Sequence, residues 1–143
     1  MRIIKKDITT VDGPAIIMHG VNCQKKMGSG VAKVIYTKWP LVKCAYEARA
    51  KLRLGDIQPV FVDRESDLWV INCATQDYYG YDGKKYAFPS AIAKCIEQVQ
   101  TFASQRNIPN IYSPKIGSGL GGLDWETEVL PLFINTNITI CEV

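Results

Sequence analysis

Ile16-Ile17-Met18-His19-Gly20-Val21-Asn22-Cys23-Gln24-Lys25-Lys26-Met27-Gly28-Ser29-Gly30-Val31-Ala32-Lys33 is the stretch on which the reading of this chain turns. It opens as an apolar run, as a strand covered on both faces does. It closes in a run with the spacing of a helix start. Between them lie polar residues and the glycines Gly28 and Gly30. A loop of this kind presents free backbone N–H groups at the positive end of a helix dipole, an arrangement that suits phosphate. His19, the one histidine of the chain, and Asn22 fall where the strand gives out. The stretch reads as the floor and one wall of a nucleotide-type pocket.

Upstream, residues 2–6 read as a short strand ended by Asp7-Ile8-Thr9, and Asp12-Gly13-Pro14 as a turn before the strand Ala15–Val21. Downstream, Val31, Val34, Ile35 and Lys38 follow helical spacing until Trp39-Pro40. Leu41 to Leu54 reads as a second helix ended by Gly55. Gln58–Asp63 and Leu68–Ala74, joined by the polar turn 64–67, read as an antiparallel hairpin. The segment from Thr75 to Tyr86, rich in Tyr, Asp and Gly, is a long loop. It reads either as functional or as a surface loop whose tyrosines cover a core edge.

Pro89 to Arg106 has a continuous apolar face of Ile92, Ile96, Val99, Phe102 and Ala103, with Ser90 as its expected cap. Ile111–Ser113 is a short strand, Asp124 caps a helix from Trp125 to Phe133, and Ile138–Glu142 is a last strand. The alternation predicts one α/β domain: a mixed, mostly parallel sheet with helices on both faces.

Composition is that of a globular domain, 47% hydrophobic and 22% charged over 143 residues. A net charge of +3 tolerates an anionic ligand but is no sequence-specific nucleic-acid footprint. No apolar run approaches the roughly 20 residues that span a bilayer, and no membrane association is expected. The five cysteines lack a Cys-x-x-Cys pair, and no export signal precedes them. Reduced thiols and a cytoplasmic location are the expectation. With one histidine and no ligand-spaced cysteines, neither a metal nor another cofactor is expected.

A second loop, Gly117-Ser118-Gly119-Leu120-Gly121-Gly122-Leu123, repeats the order strand, glycines, helix. Neither loop has the Gly-Lys-Ser/Thr of a Walker motif or a dinucleotide fingerprint. In an open α/β sheet both would sit at the carboxyl ends of strands, where crevices bind ligands. Two anion-cradling loops on one edge point to an extended, diphosphate-bearing ligand.

These residues resemble the macrodomains that bind ADP-ribose. The likeness runs through Lys6-Asp7-Ile8-Thr9, Val21-Asn22-Cys23, Met27-Gly28-Ser29-Gly30-Val31-Ala32 and Gly117 to Trp125. It implies a three-layer α/β/α sandwich. It also implies roles: Asp7 on the adenine amine with Ile8 beside it, Asn22 on the distal ribose, and Met27, Gly28, Ser29, Gly30, Val31 and Ala32 around that ribose and its anomeric substituent. Ser118, Gly119, Leu120, Gly121 and Gly122 would cradle the diphosphate, and Thr75 and Gln76 would join the ligand-binding residues. Without the resemblance, Asp7 reads as a cap or turn acid.

Within the family the chain looks like the branch that holds the terminal ADP-ribose and DNA ADP-ribosyl glycohydrolases and the yeast-type ADP-ribose 1″-phosphate phosphatase. The glycohydrolases carry a lysine after the strand-end Thr, where this chain has Thr75-Gln76, and one of them carries an acid where this chain has Gly121. A glutamine forms no Schiff base. His19 matches a histidine implicated in the phosphatase, and imidazole titrates near neutral pH. The expectation is therefore a phosphatase of ADP-ribose 1″-phosphate with His19 and Asn22 catalytic. The alternatives are a non-catalytic ADP-ribose binder, or a hydrolase acting on ADP-ribosylated macromolecules. His19 also reads as a strand-end histidine satisfying a carbonyl.

Overall fold

The structure is a computed structural model that describes residues 1–143. Its elements in chain order are β1 (Arg2–Lys5), a 3-10 turn (Ile8–Thr10), β2 (Ala15–Asn22), α1 (Gly30–Lys38), α2 (Pro40–Ala48), β3 (Ile57–Asp63) and β4 (Leu68–Gln76). Next come α3 (Pro89–Gln105), β5 (Ile111–Ser113), a π-helical turn (Trp125–Val129), α4 (Leu130–Phe133) and β6 (Thr139–Glu142). The strands form one sheet in the order β1-β6-β5-β2-β4-β3. Every pairing is parallel except that of β3 with β4.

The sheet is the middle layer of a three-layer α/β/α sandwich. Alternate residues of β2 point to opposite faces. Ile16 and Met18 join the core under α3, with Ile92, Cys95, Ile96, Val99, Val129 and Phe133. Ala15, Ile17 and Val21 join the core under α1 and α2, with Ile35, Val42 and Tyr46. The cores hold 18 and 15 buried residues, so neither face is left to solvent and β2 reads as an unbroken apolar run. No helix is long and apolar enough to cross a membrane.

Three expectations need correction. The second helix stops at Ala48, and Arg49 turns to an extended backbone (φ −91°, ψ 165°). The residues beyond it serve other contacts: Leu52 is buried, and Gly55 donates its N–H to Ala74 O at 2.8 Å at the end of β4. Ser90 does not cap α3; Phe88 holds the cap position without a side-chain bond, and Pro89 opens the helix. Finally, β2 runs on to Asn22, which leaves His19 in mid-strand, paired with Asn72. Asp124 does cap the π-turn, its carboxylate accepting from Thr127 N at 3.0 Å.

Candidate functional site

The carboxyl ends of β6, β5, β2 and β4 open into a cleft of about 930 Å³, within the range of ligand pockets. With strands about 4.8 Å apart, the three steps from β6 to β4 make it about 14 Å long. One flank carries the loop into α1, the other the loops into α3 and the π-turn.

The second glycine loop forms the middle of the cleft. Gly119, Leu120 and Gly121 line it, and none of their three backbone N–H groups donates to a protein acceptor. The neighbours are already spent: Ser118 N and its hydroxyl both donate to Lys115 O, at 3.4 and 2.7 Å, and Gly122 N donates to Gly119 O at 3.1 Å. Three consecutive unpaired donors make an anion-binding concavity. The run of free donors is thus Gly119–Gly121, narrower than the Ser118–Gly122 span; Gly122 lies outside the lining.

The first loop forms the wall above β2. Met27, Gly28, Ser29, Gly30, Val31 and Ala32 all line the cleft, and the N–H groups from Gly28 to Ala32 have no acceptor in the protein. Those of the first helical turn are the orphan donors every helix start leaves. Asn22 anchors the loop: its Oδ1 accepts from Gln24 N (2.9 Å) and Lys26 N (3.3 Å), its backbone O accepts from the Tyr46 hydroxyl (2.5 Å), and Nδ2 donates to Lys26 O (2.6 Å). One N–H of the amide is left for a ligand. Asn22 is therefore first the organiser of the 22–26 turn, and its side chain enters the cleft with one free donor.

Thr75 and Gln76 line the cleft beside Asn22. The ladder slips between Val21 and Asn22, which pair with Ala74 and Gln76, so Thr75 is the extra residue of a bulge. Its hydroxyl stands over Gly20, where a Cβ would lie 2.6 Å away. The Gln76 amide donates to Tyr78 O at 2.8 Å.

His19 is not at the site. It is 1% exposed and absent from the lining. Asn72 Nδ2 donates to Gln58 Oε1 at 3.1 Å, which leaves Asn72 Oδ1 to accept from His19 Nε2–H at 2.5 Å. Nδ1 is then a buried acceptor without a partner. Burial pulls the imidazole down to about 4, against the raising effect of the Asn72 bond. A neutral ring locked between β2 and β4 neither reaches nor protonates a ligand in the cleft.

Asp7 and Ile8 also lie outside the lining. Asp7 caps the 3-10 turn, Oδ1 accepting from Thr9 N and Oγ1 at 2.9 and 2.8 Å, and these bonds hold its carboxyl below the usual range. Yet Lys6 N donates to Glu142 O, so Asp7 follows directly beside Glu142 and Val143, which form the β6 end of the cleft. Its Oδ2 carries no bond within the protein.

Several lining residues have no signal in the local sequence. Lys43 and Glu47 arrive on α2, and Lys115 and Glu142 meet in an ion pair at 2.9 Å across the ends of β5 and β6. Lys25 donates to Glu47 O at 3.2 Å and Lys43 sits 4.7 Å from the Tyr36 ring; neither has a carboxylate partner, nor does Lys26. The α2 side of the cleft is therefore cationic. Tyr79, Gly80 and Tyr81 of the long loop complete the rim. No group of three or more His, Cys, Asp or Glu could hold a metal ion.

The sequence profile of the Macro domain family matches residues 18–129. A protein of Enterobacteria phage T4, the "uncharacterized 17.5 kDa protein in tk-vs intergenic region", is 28% identical over 135 residues, which cover 88% of this chain and 83% of that one. Among solved structures, the macrodomain of Mycobacterium tuberculosis DarG superposes with a TM-score of 0.79 at 22% identity, covering 99% of this chain and 97% of that one. Thermosipho africanus DarTG, solved in complex with ADP-ribose, gives 0.72 at 18% identity over 88% of this chain and 37% of that one.

Proposed function

The chain belongs to the Macro domain family, and from that membership we propose that its cleft binds ADP-ribose. The carrying observation is the row of three unpaired N–H groups at Gly119–Gly121, facing a second set at Gly28–Ala32. The first suits a diphosphate, and the length of the cleft suits a nucleoside at one side of it and a ribose at the other. Asp7 Oδ2, beside Glu142, is the acceptor for the adenine amine, and the free N–H of Asn22 meets the distal ribose. The complex of the Thermosipho protein supports this choice of ligand.

A second reading, hydrolysis of ADP-ribose 1″-phosphate, is favoured by one further observation: Lys26, without a carboxylate partner, lies in the same wall as the free N–H groups of Gly28–Ala32. That wall offers a second anion site where an anomeric phosphate would lie. In the step, water attacks phosphorus, the P–O bond to C1″ breaks, and the ribose oxygen takes a proton from solvent, with the donors holding the transferring phosphoryl group. His19 takes no part as acid or base, because its ring is buried and neutral.

The test is calorimetric titration of ADP-ribose, run beside phosphate release from ADP-ribose 1″-phosphate, for wild type, Gly119→Val and His19→Gln. Binding by wild type and its loss in Gly119→Val are expected. Release that persists in His19→Gln is the signature of the phosphatase reading; binding without release leaves a non-catalytic ADP-ribose binder. A folded wild type that binds no ADP-ribose overturns the proposal.

A further inference from the structure

The Tyr81 hydroxyl donates to Ser29 Oγ at 3.0 Å. Ser29 belongs to the loop entering α1 on one face of the sheet, and Tyr81 to the loop entering α3 on the other. Both line the cleft, so this bond crosses it from flank to flank. Tyr79 and Tyr81 are at the same time 45% and 70% exposed. A wall that faces the cleft on one side and solvent on the other is one side chain thick.

The base of the segment is fixed. Tyr86 and Ala87 donate their N–H groups to Gly121 O at 2.8 and 3.0 Å, and the Tyr86 hydroxyl lies 3.0 Å from both carboxylate oxygens of Asp82. Gly80 is packed under that hydroxyl, where a Cβ would lie 2.2 Å away. What remains to hold the tip across the cleft is the Tyr81–Ser29 bond, and a single exposed hydrogen bond is weak.

We propose that Tyr81, tied to Ser29, roofs the cleft over its β2–β4 end and restricts the ligand to free ADP-ribose and its small 1″ derivatives, excluding ADP-ribose carried on a protein. The inference rests on the proposed ADP-ribose reading, which places the distal ribose under this roof, against the Gly28–Ala32 wall. A small anomeric substituent fits beneath it after a brief opening. A polypeptide attached at C1″ must leave through the roof, so binding it holds the bond broken and the tyrosines displaced for as long as the complex lasts. The larger ligand is selected against by exclusion.

The test compares free ADP-ribose with a synthetic peptide carrying one ADP-ribose, titrated into wild type, Tyr81→Phe and Tyr81→Ala. Wild type is expected to bind the free nucleotide about thirtyfold tighter than the peptide conjugate. Tyr81→Ala should bring the two within about threefold, by gaining affinity for the conjugate. Tyr81→Phe, which keeps the ring and loses the bond, should fall between. Tyr81 is exposed, so thermal melting should not move. Equal wild-type affinities, or a gap that survives Tyr81→Ala, overturns the roof while leaving ADP-ribose binding intact. Failure of wild type to bind free ADP-ribose overturns the underlying reading, and the roof with it.

Discussion

In the 117–122 loop the fold itself requires Gly117, Gly121 and Gly122, whereas in the 27–32 loop it requires Gly30 alone. Gly122 has φ +78°, and a Cβ there would lie 2.2 Å from Lys84 O; at Gly121 it would lie 2.7 Å from Gly117 O. That loop is seated against residues 84–87, with Gly121 O accepting two backbone N–H groups. In the first loop Gly30 has φ +62° but nothing near it. Each loop then keeps one glycine that neither backbone conformation nor packing explains, Gly119 and Gly28, and a Cβ at either would meet open space. Both face the cleft. A glycine the fold does not need, beside unpaired N–H groups, leaves the backbone open to close approach from the cleft, as the proposed ADP-ribose reading requires.

The largest effect should separate the two uses within one loop. Gly122→Ala forces a side chain into the left-handed region and onto a backbone carbonyl, and should cost about 3 kcal/mol of stability in urea unfolding. Gly119→Val should leave stability within about 0.5 kcal/mol and weaken ADP-ribose about a hundredfold by calorimetry. Were Gly119→Val to unfold the protein, or Gly122→Ala to be neutral, the division between structural and ligand-facing glycines would be wrong.

Legibility in the sequence obeys the same division. The strand–glycine–helix order is local, so both loops, the strands beneath them and the Asp124 cap could be read directly. The parallel sheet showed itself in the unbroken Ala15–Val21 run, whose residues are buried from both sides. His19 could not be placed in this way. Its role depends on the Asn72 that β4 brings opposite, a contact 53 residues away in sequence. The same holds for Tyr46 on Asn22, for the α2 lysines and for the Lys115–Glu142 pair, each created by packing between distant elements. Lining positions in the two glycine loops were legible; those on helix flanks and at the β5 and β6 ends were not.

A pH experiment asks whether the strand carrying the first loop is as inert as its burial implies. His19 binds its proton at about 4 in the fold, against 6.5 when unfolded. The folded value is the lower one, so unfolded chains take up the proton first as pH falls. Stability from this group is full above 6.5 and declines as pH drops toward 4. Between pH 7 and 5 the loss is about 2 kcal/mol. Subtracting the urea-unfolding profile of His19→Gln isolates it from carboxylate effects. A pH dependence identical in both proteins would place the imidazole in water, and the catalytic assignment would return.

The smallest predicted effect sharpens the comparison most. Gly28→Val, like Gly119→Val, adds a side chain in open space beside unpaired donors, but the loops differ in how firmly they are held. The second is tied at Gly117, Gly119 and Gly121 by bonds from Leu123, Gly122, Tyr86 and Ala87, so an intruding side chain cannot retreat. In the first, no backbone N–H from Met27 to Ala32 donates to the protein, and its anchors are the Asn22 turn before it, the Lys33 N–H bond to Ser29 O, at 3.4 Å, after it, and the single exposed bond from the Tyr81 hydroxyl to Ser29 Oγ. That backbone can shift and carry the new methyls aside. Gly28→Val should therefore weaken ADP-ribose about tenfold rather than a hundredfold, with the unfolding midpoint unchanged. Equal losses for the two variants would mean that the ligand, not the protein, fixes both loops in the bound state, and that the rigid cradle and the yielding wall are one surface.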